Sequence, residues 1–299
     1  MIDIRRILCP IDFSDTSRHA LDHAVAIAKW YESHITALHV IAPPLLLQPP
    51  ILFAELPKNT TLTEAELQAL EAQLGAWLEP ANRTGVKTDM LFDEGNPAAS
   101  ILEHASSLQA DLLVMGTHGL SGFERLMLGS VAEKVLRKAT CPVMSVPPPA
   151  VTGAKVPYTR LLCPVDFSES SLAALRFAFS IAEESDAHLT ILHVFDWPPD
   201  DELLVERFDT PASRRVVEEE ARGRLEALVT GDVRVWCKPA TKVSYGKPYR
   251  QILEVAGSEG TDLIVIGVHG RNALDLTLFG STTNHVVRRA SCPVVTLKH

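Results

Sequence analysis

The sequence predicts an α/β protein of two tandem domains, each a parallel sheet covered by helices on both faces. Three observations carry that prediction. Strand-like and helix-like stretches alternate along the whole chain. The alternation runs twice, because the second half of the chain repeats the first. In each half a glycine-containing loop joins the end of an apolar run to the start of a helical one, at Gly116-Thr117-His118-Gly119 and at Gly267-Val268-His269-Gly270.

The repeat sets the domain organisation. Cys9-Pro10-Ile11-Asp12-Phe13-Ser14 returns as Cys163-Pro164-Val165-Asp166-Phe167-Ser168, and Leu38-His39-Val40 as Leu192-His193-Val194. Further on, Gly95-Asn96-Pro97 returns as Gly246-Lys247-Pro248. Gly116, Gly119, Gly129 and Cys141 return as Gly267, Gly270, Gly280 and Cys292, at an offset three residues shorter. The repeating unit is far longer than a solenoid repeat, so it is a duplicated domain. A proline-stiffened stretch with no hydrophobic period separates the copies. The expected domains are residues 1–147 and 158–299, with a linker over 148–157.

In the first copy, Arg5 to Ile11 is β-rich and forms strand one. Ser14 caps the helix that follows, which carries an apolar face of Ala20, Leu21, Ala24, Val25 and Ala28. Ile35 to Ile41 is strand two. Thr63 to about Glu79 is a helix and Val86 to Phe92 strand three. Pro97 suits a first helical turn, and that helix runs to about Leu108. Asp111 to Met115 is strand four, Ser130 to Ala139 a helix, and Pro142 to Val146 strand five. Arg137 and Lys138, repeated as Arg288 and Arg289, sit in the last helical turn, where cations complement the dipole. In such sheets ligands bind beyond the carboxyl ends of the strands, at a switch point. Asp12 ends strand one and Gly116 ends strand four, so both face one crevice if those strands are neighbours.

Composition narrows the function. Of 299 residues, 46% are hydrophobic and 22% charged, ordinary for globular protein. The net charge of −9 argues against non-specific nucleic-acid binding. Any phosphate must therefore be held by local donors. A strand-to-helix loop with glycines presents such donors, the backbone N–H groups of a helix start. The N-terminal apolar stretch is too short for a targeting signal and no run reaches membrane-spanning length, so the cytoplasm is the expected location. Four of the five cysteines, Cys9 with Cys163 and Cys141 with Cys292, are repeat-equivalent and each on a predicted strand. With Cys237 they read as reduced, mostly buried thiols.

The pattern Gly, two residues, Gly, nine residues, Gly-Ser stands here as Gly116, Gly119, Gly129-Ser130 and again as Gly267, Gly270, Gly280-Ser281. With Ile7 to Ser14 at the opening and Ala139-Thr140-Cys141-Pro142-Val143 at the close, it resembles the universal stress proteins over essentially the whole chain, twice. The resemblance implies an adenine-nucleotide α-hydrolase-like fold with strand order 3-2-1-4-5 and ATP as ligand. The triphosphate would lie over Gly116, Gly119, Gly129, Ser130 and Val131. The adenosine would lie near Pro10, Ile11, Asp12, Val40 and Met115. In the second copy the matching positions are Gly267, Gly270, Gly280, Ser281 and Thr282, with Pro164, Val165, Asp166, Val194 and Ile266. The glycines would let a phosphate approach the backbone where a Cβ would intrude, and Ser130 would donate to it. Asp12 could accept from a ribose hydroxyl, from adenine N6, or from water on a magnesium ion. Single-domain members of the family pair through the last strand. This chain is therefore expected to form that pair internally, and such a unit can dimerise again.

Other features bear on that reading. The chain has no Walker A sequence and no Gly-x-Gly-x-x-Gly. No nucleophile stands out, so ATP hydrolysis or autophosphorylation is expected to be slow. His19 and His23 have the spacing of a two-His metal pair, but the second copy has neither, and a solvated helix face is the expectation. His39 and His193 read as core packing, and His118 and His269 as loop-shaping or phosphate contacts. Asp275 in the second glycine interval would weaken phosphate binding if it faced the site. The apolar stretch Leu45 to Phe53 is expected to fold over its own helix or the other copy. The alternative is a nucleotide-independent scaffold that binds a partner or lipid there.

Overall fold

The computed structural model describes residues 2–42, 63–118, 128–148, 158–196, 211–231, 233, 237, 239–269 and 279–298. Among them the first copy builds β1 (Arg6–Pro10), α1 (Asp15–Tyr31), β2 (His34–Ile41), α2 (Glu64–Arg83), β3 (Lys87–Glu94), α3 (Pro97–Ser107), β4 (Leu112–Gly116), α4 (Ser130–Lys138) and β5 (Val143–Val146). The second builds β6 (Arg160–Pro164), α5 (Glu169–Ser185), β7 (His188–Phe195), α6 (Pro211–Ala227), β8 (Ala240–Tyr245), α7 (Pro248–Glu259), β9 (Leu263–Gly267), α8 (Ser281–Arg289) and β10 (Val294–Leu297). Cys141 and Cys292 lie just before β5 and β10 rather than on them. All five thiols are free, and burial pushes that of Cys141 up to about 11 and that of Cys292 up to about 12.

The strands form one ten-stranded sheet in the order β3-β2-β1-β4-β5-β10-β9-β6-β7-β8. Each half has the order 3-2-1-4-5 with parallel strands. The halves meet where β5 runs antiparallel to β10, with Met144 opposite Val295. Ser145 Oγ donates to the Val294 carbonyl at 3.1 Å and Thr296 Oγ1 to that of Val143 at 3.3 Å, which ties the seam from both sides. Because the seam is antiparallel, the carboxyl ends of the two halves' strands point in opposite directions. The two crevices open at opposite edges of the sheet.

The alternation of side chains along the strands separates two cores. Ile7, Cys9, Leu112 and Val114 face α1 and α2, and their counterparts face α5 and α6. Leu8, Leu113 and Met115 face α3 and α4, and Leu162, Ile264 and Ile266 face α7 and α8. Both cores run across the seam. Helix α1 follows its predicted face: Ala20, Leu21, Ala24 and Ala28 are buried, and Ser14 caps it by accepting from Ser17 N–H. Helix α2 outlasts its predicted end at Glu79 and passes through Pro80 to Arg83. An interior proline costs about 3 kcal/mol. Leu78 and Ala81, buried on either side of it, offset that cost by packing the last turn against the core.

The solvated face expected at His19 and His23 is not what forms. His23 is 1% exposed, and its Nδ1 lies 2.7 Å from Tyr158 Oη at the start of the second copy. The two rings stack with centroids 5.6 Å apart. Trp30 packs edge-on against Tyr158, and Tyr31 Oη bonds Ser180 Oγ at 2.9 Å. This face of α1 is therefore buried against the other half of the chain. On the opposite face of the sheet Arg288 of α8 reaches Glu133 of α4 at 3.0 Å, again across the seam.

Candidate functional site

In each half β1 and β4, or β6 and β9, are neighbours from which the chain departs in opposite directions, which is the switch point of an open α/β sheet. One side of the candidate site is built by the exit from β1. Ile11 N–H donates to the Leu38 carbonyl at 2.8 Å, and the chain then leaves the sheet. Asp12 Oδ1 accepts from Ser14 N–H at 3.0 Å and from Ser14 Oγ at 2.6 Å, closing a tight turn. Phe13 between them sits at φ 61°, a left-handed conformation that costs a non-glycine residue about 1 kcal/mol or more. The second copy repeats each feature. Val165 N–H donates to Leu192, Asp166 Oδ1 accepts from Ser168 at 3.0 and 2.6 Å, and Phe167 has φ 65°.

The strand beside this exit has open main chain. Successive residues of a strand present N–H and C=O to alternate sides. Leu38 faces β1, and the Ile41 carbonyl accepts from Gly95 on the β3 side. Val40 therefore presents its N–H and C=O toward β1, past the last paired residues Pro10 and Leu38. Val194 does the same past Pro164 and Leu192. Val40 and Met115 pack in the α3/α4 core and Ile11 in the α1/α2 core, and Pro10, Ile11, Asp12, Val40 and Met115 all lie at the carboxyl ends of the adjacent strands β2, β1 and β4. Pro164, Val165, Asp166, Val194 and Ile266 lie at the matching strand ends in the second copy.

The other side is the start of α4. Gly129 is its N-cap and makes no side-chain cap, so the first-turn N–H groups at Ser130, Val131 and Ala132 have no capping acceptor. Gly280 leaves Ser281, Thr282 and Thr283 of α8 in the same state. Ser130 and Ser281 are exposed. Such a helix start attracts an anion.

The glycines earn a different explanation from the one the sequence suggested. A Cβ on Gly116 would lie 2.8 Å from Thr16 Cγ2, and one on Gly267 would lie 2.7 Å from the Ser170 carbonyl carbon. Glycine is needed there so that the start of α1 or α5 can pack against the strand end. A Cβ on Gly129 would lie 3.1 Å from the Thr117 carbonyl and one on Gly280 2.5 Å from that of Val268. Gly129 and Gly280 N–H donate to those same carbonyls, at 2.8 and 3.0 Å, so close approach of two backbones closes the loop. Gly119, Gly270, Glu124, Arg125 and Asp275 lie outside the described residues, as do Leu45–Phe53 and most of the linker.

The histidines of the glycine loops shape the loop. His118 Nδ1 lies 2.8 Å from Thr117 Oγ1, and the His269 carbonyl accepts from Ser168 Oγ at 3.2 Å and from Ser170 Oγ. Sequence reasoning read His39 and His193 as core packing and missed their bonds to the exits from β1 and β6. Their Nδ1 atoms lie 2.7 Å from the Ile11 and Val165 carbonyls, and their rings pack on Phe13 and Phe167 at 4.7 and 5.0 Å. Their recurrence beside Val40 and Val194 was the available signal. Among the described residues no three His, Cys, Asp or Glu side chains gather as a metal site, and no helix is long and apolar enough to cross a membrane.

Comparison with known proteins agrees with this architecture. The model of the universal stress protein family matches residues 3–147 and again 157–298. A universal stress protein of Methanocaldococcus jannaschii is 39% identical over 148 residues, 48% of this chain and 83% of that one. One from Mycolicibacterium smegmatis is 27% identical over 300 residues, spanning 98% of this chain and 96% of its own. The crystal structure of a universal stress protein from Archaeoglobus fulgidus has the same fold, with a TM-score of 0.66 at 23% identity over 98% of both chains. Two family matches in tandem, over a sheet with the same strand order in each half, show that the chain belongs to the universal stress protein family.

Proposed function

We propose that each half binds one adenine nucleotide, ATP with magnesium, and that the chain is a nucleotide-dependent regulator of the stress response. The observation that carries the reading is the juxtaposition, made twice, of open Val40 or Val194 main chain with an uncapped helix start across a switch point. The open N–H and C=O suit the edge of a base, with the Met115 or Ile266 side of the sheet beneath it. The helix start suits phosphate, which an acidic chain must hold by local donors.

The donor set also bears on magnesium. Asp12 and Asp166 each use Oδ1 within their own turn, and in the first half this leaves the other Asp12 oxygen for a ribose hydroxyl or a metal-bound water. Magnesium keeps several waters and takes its remaining ligands from one carboxylate and the phosphates. It would be held mainly by the nucleotide itself. The residues of the crevice bind and orient, and turnover in this reading is slow.

The antiparallel β5–β10 seam would stand in for the last-strand pairing of single-domain members, giving one chain two outward-facing sites. Equilibrium dialysis of nucleotide-stripped protein against labelled ATP tests the reading. Saturable binding displaced by ADP is expected. Folded protein that retains no ATP overturns it.

A further inference from the structure

The β1–β2 ladder stops one bond early, and a histidine stands where that bond would be. Ile11 N–H donates to Leu38. In a parallel pair the next bond runs from the Val40 N–H back to the Ile11 carbonyl. Pairing nevertheless ends at Pro10 and Leu38, and the Ile11 carbonyl is met at 2.7 Å by His39 Nδ1. A carbonyl only accepts, so Nδ1 carries the hydrogen. The second half makes the same substitution, with pairing ended at Pro164 and Leu192 and His193 Nδ1 2.7 Å from the Val165 carbonyl. Each ring is wedged against its neighbours: His39 against Phe13 and Phe92, His193 against Phe167 and Phe195.

We propose that His39 and His193 are positioning residues that set base specificity, by occupying the carbonyl that would otherwise capture the Val40 or Val194 N–H. The inference rests on the nucleotide reading above for its ligand, but its structural part does not need one. With the N–H kept open, each valine offers a donor beside an acceptor on one strand edge. Adenine presents an acceptor at N1 beside a donor at N6, which matches. Guanine presents the reverse, which leaves both main-chain groups unpaired and is rejected for that reason. The histidine touches no ligand in this account. It also braces the Phe13 or Phe167 turn that carries Asp12 or Asp166.

Two double variants test it. His39→Phe with His193→Phe keeps the ring and removes the donor. His39→Asn with His193→Asn keeps a donor at the place of Nδ1. Amide hydrogen exchange of the nucleotide-free chain is read at Val40 and Val194, and affinities for ATP and GTP are read by titration. The Phe variant is expected to slow exchange at both valines as the ladder bond closes, to weaken ATP about tenfold, and to narrow the ATP-over-GTP preference. The Asn variant is expected to behave as the native chain. If the Phe variant does not fold, His39→Met with His193→Met replaces it with the same expected and contrary results. Unchanged exchange with an unchanged ATP-to-GTP ratio in a folded donorless variant overturns the role. A native chain that binds neither nucleotide overturns the ligand reading instead, and the exchange arm then still decides whether the histidines hold the strand end open.

Discussion

The two halves agree where a base would sit and differ where phosphates would sit. At the exit from β1 and β6 the same Asx turn, the same left-handed phenylalanine and the same 2.7 Å imidazole contact recur. Beside the helix starts the bonding changes. In the first half Thr117 Oγ1 donates to the Val146 carbonyl and lies against His118. The second half has Val268 there. Its loop is tied instead by Thr283 Oγ1 to the Gly267 carbonyl at 2.8 Å and by Ser168 and Ser170 to that of His269. Duplication has therefore kept the frame at the exits from β1 and β6 and let the bonding beside the helix starts drift. The halves should share a base preference and differ in how tightly they hold phosphates.

The largest expected effect probes that drift. Gly280→Ala brings a Cβ to 2.5 Å from a backbone carbonyl, and Gly129→Ala to 3.1 Å. Overpacking of this kind costs about 1 to 3 kcal/mol. We expect Gly280→Ala near the upper figure and Gly129→Ala near the lower, read from urea midpoints. Equal losses would break the comparison.

A second asymmetry lies at the seam. His23 meets Tyr158, whereas the repeat-equivalent residues are the apolar pair Phe177 and Ile4, both buried. Burial, with a smaller contribution from neighbouring His19, pushes the His23 pKa down to about 3. Its folded pKa lies below its unfolded value of 6.5, so the unfolded chain binds the proton first. Stability is full above that value and falls as pH drops from there toward about 3. The slope is at most about 1.4 kcal/mol per pH unit. His23→Phe, which copies the second half, should flatten this acid limb in urea titrations at stepped pH. A limb as steep as the native one would show that His23 does not set it.

The smallest effect concerns the Glu133–Arg288 bridge across the seam. It is partly exposed, and such pairs contribute about 0.2 to 1 kcal/mol. Glu133→Gln should lose that much in moderate salt. Asn284→Glu, which supplies the missing counterpart for Arg137, should recover a similar amount. No gain from Asn284→Glu would mean that the seam is less symmetric than the strand pairing.

Element positions were legible because periodicity and the repeat report them locally, whereas the strand order came from the family resemblance. What the sequence hid was contact between distant parts. His19 and His23 read as solvated because nothing local shows that Tyr158, far along the chain, covers His23. Pro80 read as a helix end because the burial of Leu78 and Ala81 is a tertiary fact. The positions of the candidate residues were legible in outline: Asp12 follows β1, Val40 and Met115 lie near the ends of the adjacent β2 and β4, and Ser130 opens α4. Gly116 and Gly129 lie at the strand end and helix start expected of them, but the sequence reading explained them by phosphate approach. The neighbour that forbids a Cβ at Gly116 is Thr16. His39 read as packing, since only the ladder register reveals which carbonyl it occupies.

The most direct test of the central claim is calorimetric titration of nucleotide-stripped protein with magnesium-ATP, in the native chain and in Ser130→Asp and Ser281→Asp. These exposed serines open α4 and α8. A carboxylate there favours the helix while repelling phosphate, so folding is kept and one site is lost. The account predicts about two equivalents for the native chain, about one for each variant and none for the double variant. Undiminished stoichiometry in the folded double variant would contradict it.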